Sequence, residues 1–273
     1  MECYFINLQN AEERRKEITR NFSEMAAPGW HLDRFAAIDA EYVRLNQIPG
    51  TKRDAEKACF LSHTFVLQQC RRSERTIWVM EDDAVFGRQT CSLAESVIGS
   101  IDPESWDIIF TDIIVTTVNA MVDLVAARRQ LMVNRTVQLV NLASFPFAGA
   151  TSYIVNGKSL ERVCSILGSF RSIDVPYDLY VRNQVHNSNI RAIVIVPFIT
   201  TLSSRAEFSS IQDNDALSPD RVLNLFRRLF WVDRNVAEHR SAISELEKTF
   251  CDDESKMFST LFAAMVSGRI RWK

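Results

Sequence analysis

The sequence has no CxxC pair. Its six cysteines (Cys3, Cys59, Cys70, Cys91, Cys164 and Cys251) are scattered, most of them inside apolar runs. A thiol in such a run behaves as a small hydrophobe, and the pattern suits a reducing compartment. Charge of one sign is also lacking: 32 Lys and Arg stand against 34 Asp and Glu, a formal net charge of -2, so nothing draws the whole chain to nucleic acid and an anionic ligand has to be met locally. No uncharged apolar run reaches the roughly 18 residues of a membrane span. Between Met1 and Asn10 no basic segment leads into an apolar one, so no secretory leader is expected and the chain is read as cytoplasmic. The sequons Asn21-Phe22-Ser23 and Asn134-Arg135-Thr136 then carry no weight. Internal repeats and low-complexity tracts are missing too. What remains is 273 residues, 47% hydrophobic and 24% charged, the composition of a globular enzyme of one large domain or a domain with an appendage.

Strand and helix signals alternate through the first 200 or so residues. Cys3 to Leu8 reads as a strand, and Asn10 with Glu13 as a capping box opening a helix from about Ala11 to Ala26. A second strand is expected over Leu32 to Ile38, ending at Asp39, and a helix from the N-cap Asp54 to about Arg72, with Cys59, His63, Val66 and Cys70 on one face. Thr76 to Met80 reads as a buried strand. Further strands are expected at Trp106 to Phe110, Thr136 to Val140, Ser152 to Val155 and Arg191 to Val196, with helices at Ser159 to Leu167 and Asp178 to Val185. After Arg205 a polar stretch leads into helical patterns at Arg221 to Val232, Ala237 to Phe250 and Lys256 to Val266. The expected organisation is a domain over residues 1–210 and a helical C-terminal appendage over 211–273.

Glu81-Asp82-Asp83 follows the Thr76 to Met80 strand at its carboxyl end, where open α/β sheets bind their ligands. Three adjacent carboxylates repel one another and need a cation or firm hydrogen bonds. Mg²⁺ or Mn²⁺ would take their oxygens together with those of a substrate diphosphate. Alternation would put Glu81 and Asp83 on one side and Asp82 on the other. Spacing alone leaves an acidic turn equally open.

Asn7-Leu8 with Arg14-Arg15, then Glu56-Lys57-Ala58-Cys59-Phe60-Leu61-Ser62-His63, then Met80-Glu81-Asp82-Asp83-Ala84 resembles glycosyltransferase family 25, the lipopolysaccharide and collagen sugar transferases. The resemblance continues more weakly through Trp106 to Ile109, Gly149 to Val155 and Pro176-Tyr177-Asp178. It implies a GT-A type nucleotide-binding α/β sandwich, and an inverting transfer of a hexose, galactose or glucose, from a UDP-sugar to a saccharide or glycolipid acceptor. Asp83, with Glu81, would hold Mn²⁺ or Mg²⁺ on the leaving diphosphate. The base would be Asp178, in the Pro-x-Asp segment, or Asp174, which otherwise caps a helix.

On the donor side the candidates are Asn7, Leu8, Arg14, Asp39, Ser62, His63 and Asp82. Asp39 would meet a ribose or base, or else be a turn residue. His63 is expected to position the site from the core rather than to ligate metal. His186 is a lone histidine at a helix end. Ala58 stands where the family usually has glycine, and Ser209-Ser210-Ile211 where many members have Ser-Asp-Ile, so that acid of the donor pocket is missing here. Two other readings stay open: a metal-dependent phosphohydrolase or nucleotidyltransferase, weakened by the absence of a Walker glycine loop and of paired His-Asp motifs, and a non-catalytic sugar-binding protein. In the tail, Arg221 to Trp231 alternates apolar residues with arginines, and Gly268 to Lys273 repeats that chemistry. It would either lie on the inner face of an anionic membrane or pack on the domain with its arginines solvated.

Overall fold

Alternation along the first strand decides how the molecule is layered. The computed structural model describes residues 1–134, 136–203 and 219–249, with residues 253 and 257 beyond them. In β1 (Glu2–Asn7), Cys3 and Phe5 enter one hydrophobic cluster and Ile6 enters another. β3 (Ile77–Glu81) divides in the same way, Trp78 and Met80 into the first cluster and Ile77 and Val79 into the second. Strands apolar on both faces have to be covered on both. Helices α1 (Glu12–Met25), through Ile18 and Phe22, and α4 (Thr90–Ser100), through Cys91, Ala94 and Val97, cover one face. The other is covered by α3 (Asp54–Cys70), α5 (Val118–Asn134), α6 (Leu160–Leu167) and α7 (Tyr177–His186). This is the expected α/β sandwich.

The seven-stranded sheet has the order β2-β1-β3-β9-β5-β10-β7, with β2 at His31–Ala36, β5 at Ile108–Phe110, β7 at Gln138–Asn141, β9 at Ser152–Val155 and β10 at Ala192–Val196. β1 pairs parallel with both β2 and β3, and β5 parallel with β10, while β9 lies antiparallel between β3 and β5 and β7 antiparallel at the edge. The sheet is therefore mostly parallel. The carboxyl ends of β1, β2, β3 and β5 and the start of β9 share one edge, the edge at which such sheets place ligands.

Several expectations need correction. Asn10 does not cap α1: Ala11 N–H closes a tight turn on Leu8 O, so Ala11 is the cap residue and no side chain caps the helix. α3 has Arg53 at its cap, and Asp54 lies within its first turn. Asp39 caps a helix the sequence reading omitted, α2 (Ala40–Leu45), accepting from Tyr42 N–H at 2.8 Å. Also unforeseen were α4, α5, and the short strands β4 (Ala84–Phe86), β6 (Ile114–Val115), β8 (Phe147–Ala148) and β11 (Thr200–Leu202). Strands of two or three residues carry no periodic signal. In α5 apolar side chains lie all round, Met121, Leu124 and Val125 buried while Val118, Val122 and Val133 are exposed, so no single stripe marks it.

α8 (Pro219–Phe230) packs on the sandwich. Phe226 and Phe230 stack at 5.3 Å and enter the second-face core, and Phe230 meets Phe198 edge-on at 4.8 Å. Two of its arginines are not solvated: Arg227 and Arg228 are buried, Arg228 donating to Ser203 O at 2.7 Å. For this helix the packing alternative is the one observed, with Arg227 and Arg228 turned inward. α9 (Arg240–Thr249) follows. Apart from Met257, the expected Lys256 to Val266 helix lies outside the described residues, as do the Gly268 to Lys273 segment and Ser209-Ser210-Ile211. Among those described, no helix is long and apolar enough to cross a membrane.

Candidate active site

β3 ends at Glu81, and Asp82 and Asp83 form the turn into β4. That turn is pinned, because β4 pairs antiparallel with β11 and Asp83 O accepts from Ser203 N–H at 2.8 Å. The three carboxylates diverge. Asp82 turns back to the first strand and helix, accepting from Asn7 Nδ2 at 2.7 Å and pairing with Arg14 at 3.3 Å. Glu81 faces His63 Nε2 at 3.2 Å. Asp83 Oδ1 is buried with no hydrogen-bond partner among the described residues.

Their protonation follows from those surroundings. Burial, then the charges of Glu81 and Asp82, push the Asp83 carboxyl up to about 7. Burial also raises Asp82, with Asn7 and Arg14 offsetting only part of the effect. Desolvation opposes ionisation of Glu81 as well, but there the hydrogen bond and charge of His63 prevail and hold the carboxyl below its ordinary value.

α3 brings His63 to this point from the second-face core. Its ring is 1% exposed and stacks on Tyr177 at 4.4 Å, and Nδ1 lies 3.1 Å from Tyr153 Oη, which is itself 3.1 Å from Tyr177 Oη. Both tyrosine hydroxyls are driven up by burial. At the preceding position on the same helix Ser62 Oγ donates to Ala58 O at 2.7 Å and accepts from Ile38 N–H at 2.9 Å, tying the segment after β2 to α3.

Two clefts open on this centre. The first, about 590 Å³, is walled by Leu8, Asn10, Arg14, Ile38, Asp39, Ser62 and Asp82. The second, about 330 Å³, is walled by Arg53, Gly149, Thr151, Asp178, Asn224 and Arg227. Cys59, His63, Glu81 and Asp83 line both. The first falls within the range of small-molecule sites and the second at its lower end. Asp178 is held by Gly149 N–H, which donates to Oδ2 at 2.8 Å. Gly149 adopts φ +84°, and a Cβ there would crowd Ile114, so glycine suits the bend that aims its N–H at the carboxylate. Arg227 reaches in from α8, with Nε and Nη2 at 3.1 and 2.5 Å from Asp112 Oδ2. Asp112 is fully buried and its other oxygen has no partner among the described residues. Burial raises its carboxyl, while Arg227 draws it the other way.

Of the residues singled out in the sequence, Leu8, Arg14, Asp39, Ser62, His63, Glu81, Asp82 and Asp83 converge on the first cleft and Asp178 on the second. Asn7 lines neither: it is 1% exposed and its amide is spent on Asp82 and Ala11 and on accepting from Arg34, so it braces the site from behind. Asp174 lies outside both clefts, exposed, accepting from Thr51 N–H at 2.9 Å and from the hydroxyls of Thr51 and Ser172. It ties two loops together and does not cap α7. His186 bonds Phe145 O away from the centre. Ala58 lines the first cleft. Arg227, Asp112, Tyr153 and Tyr177 were not foreseen. Tyr153 and Tyr177 stood inside recognised motif blocks, whereas Arg227 carried no local signal, since only the fold brings it to Asp112.

A model of glycosyltransferase family 25 (LPS biosynthesis protein) matches residues 1–181. A stretch of 91 residues is 29% identical to the lipooligosaccharide biosynthesis protein lic2B of Haemophilus influenzae, covering 31% of this chain and 34% of that protein. The match thus spans about a third of the relative's length. With well over half of its length matched by the family model, the chain belongs to glycosyltransferase family 25.

Proposed function

We propose that the protein is a metal-dependent, GT-A type hexosyltransferase that moves galactose or glucose from a UDP-sugar to a saccharide of a surface glycolipid, with inversion at the anomeric carbon. The observation that carries this is the junction of the two clefts at Glu81, Asp83, His63 and Cys59. A transferase has to bring two substrates to one reacting atom, and here a larger and a smaller cleft meet at the carboxylates. The lipooligosaccharide role in the name of the Haemophilus relative supports the choice of acceptor.

The residues fit a hard divalent cation. Asp83 has a buried oxygen without a partner among the described residues, it is crowded by like charge, and the Glu81 carboxyl beside it is held below its ordinary value. Asp83 and Glu81 would hold Mn²⁺ or Mg²⁺, which when bound supplies positive charge to the leaving diphosphate. Arg14, Asp39 and Ser62 on the first cleft would orient the nucleotide, and Asp82, fixed by Asn7 and Arg14, keeps the turn in place. In the second cleft the Asp178 carboxylate takes the acceptor hydroxyl's proton as that oxygen attacks the anomeric carbon. The bond from that carbon to the diphosphate breaks and its electron pair leaves with the diphosphate. Gly149 N–H holds Asp178 for this step.

Turnover of UDP-galactose and UDP-glucose with and without Mn²⁺, with the product anomer read by NMR, tests the reading. UDP is expected to raise the melting temperature only with the metal. A metal-independent response, or a product that keeps the donor's anomeric configuration, overturns the corresponding part.

A further inference from the structure

One donor set at the junction differs in kind from the oxygen pair assigned above. Cys59 and His63 stand one helical turn apart on α3, and Glu81 faces them from the end of β3. One donor atom from each, Cys59 Sγ, a His63 ring nitrogen and a Glu81 carboxylate oxygen, lie within 4.8 Å of one another. His63 Nε2 and Glu81 Oε1 are 3.2 Å apart. Ligands on a tetrahedral ion at about 2.0–2.3 Å are separated by about 3.3–3.7 Å, so closing the three donors round a cation needs shifts of an ångström or less.

We propose that Cys59, His63 and Glu81 form a site for a borderline-soft divalent cation of the Zn²⁺ class, and that its occupation inhibits sugar transfer. Sulfur and imidazole favour Zn²⁺ and Co²⁺ over Mn²⁺ and Mg²⁺, which prefer oxygen. The imidazole is set for ligation: Nδ1 is engaged by the Tyr153 hydroxyl at 3.1 Å and the ring is clamped on Tyr177, leaving Nε2 for the metal. Such a partner on the far nitrogen is how ligating histidines are oriented. Cys59 and His63 line both clefts, so an ion can enter and its fourth position would be taken by water or a substrate oxygen. Binding exchanges the Cys59 thiol proton, which goes to solvent, for a metal–sulfur bond. The site shares Glu81 with the oxygen pair, so filling it takes Glu81 from Asp83 and places a cation where donor and acceptor must meet. The site does not require the oxygen pair to bind metal, and the two can be tested separately.

Co²⁺ titrated into the reduced full-length protein, without nucleotide, is expected to give the near-ultraviolet thiolate-to-cobalt band and the visible bands of a tetrahedral ion, displaced by Zn²⁺ and not by excess Mg²⁺. The thiolate band should vanish in Cys59→Ser and persist in Asp83→Ala. Tyr153→Phe should weaken Zn²⁺ binding about 10–100-fold. Zn²⁺ should also protect Cys59 from alkylation in the wild type, read by peptide mass spectrometry, a measurement that needs no variant to fold. No thiolate band, a band surviving Cys59→Ser, or alkylation of Cys59 undiminished by Zn²⁺ would overturn the proposal. Loss of the band in Asp83→Ala alone would assign the ion to the oxygen pair. Failure of UDP and Mn²⁺ to bind bears only on the transferase reading.

Discussion

The two clefts share four of the described residues and differ in how the chain builds them. Among the described residues, every wall of the first comes from residues 6–83, a continuous run of strand, helix, strand, two helices and strand. The second draws on residues from 53 to 227, and Asn224 and Arg227 lie on α8, beyond the residues the family model matches. A cleft built from adjacent units keeps its motifs together in sequence, whereas one assembled from distant units has none to show. If the difference is also functional, the first cleft carries the shared donor chemistry and the second carries what distinguishes this chain, its acceptor.

Substitutions can break or sharpen that division. Asp83→Ala touches both clefts and should lower kcat/KM about 10³-fold, the scale expected when a preorganised charge stabiliser is removed. The same carboxyl also gives a pH dependence. Its folded value of about 7 lies above the ordinary 3.8, so between these values the folded state holds a proton the unfolded state has lost, and its contribution to stability fades as pH rises through about 7. Melting temperatures of wild type relative to Asp83→Asn should therefore fall from about pH 5 to about pH 8, and affinity for Mn²⁺ should climb over the upper part of that range as the proton is displaced.

Arg227→Met leaves Asp112 buried without its partner and should cost about 3 kcal/mol in denaturant unfolding. In the protein that remains folded, KM for the acceptor should rise and KM for the donor should not. A rise in donor KM alone would break the comparison. Asp178→Asn should lower kcat about 10²-fold while the stabilisation by UDP and Mn²⁺ is unchanged, because only the acceptor's proton transfer is lost. Equal loss of nucleotide binding would move Asp178 to the donor side. Smallest is Arg14→Gln, for which about a tenfold rise in donor KM is expected, since Arg14 lines the first cleft and braces Asp82.

How much was legible follows the same line. The β9 strand at Ser152–Val155 was readable from its buried apolar run, and the Glu81 to Asp83 turn from its place after β3. His63 was readable as a core residue serving the site, because its helical face is shared with Cys59 and Val66. Asn7 and Asp174 show the limit. Residue type and position nominated both, but the amide of Asn7 is spent on Asp82 and the carboxylate of Asp174 on Thr51, and hydrogen-bond partners far off in sequence leave no local trace.

The sequence by itself determined the layered α/β class, because strand and helix periodicities are set by neighbouring residues and survive in any context. It also determined that three carboxylates stand together at a strand's end. Only the tertiary structure decided which of them does what. Asp82 is turned to Asn7 and Arg14, the Glu81 carboxyl is held down by His63, and Asp83 is left with a buried oxygen that has no partner among the described residues and a raised carboxyl. Arg227 of α8 was decided there too, since a guanidinium that reads as a solvated face in sequence becomes a buried ion pair once the fold sets Asp112 beside it. Burial and partnership over such distances are properties of packing, and they fix the charge of each group on which the chemistry depends.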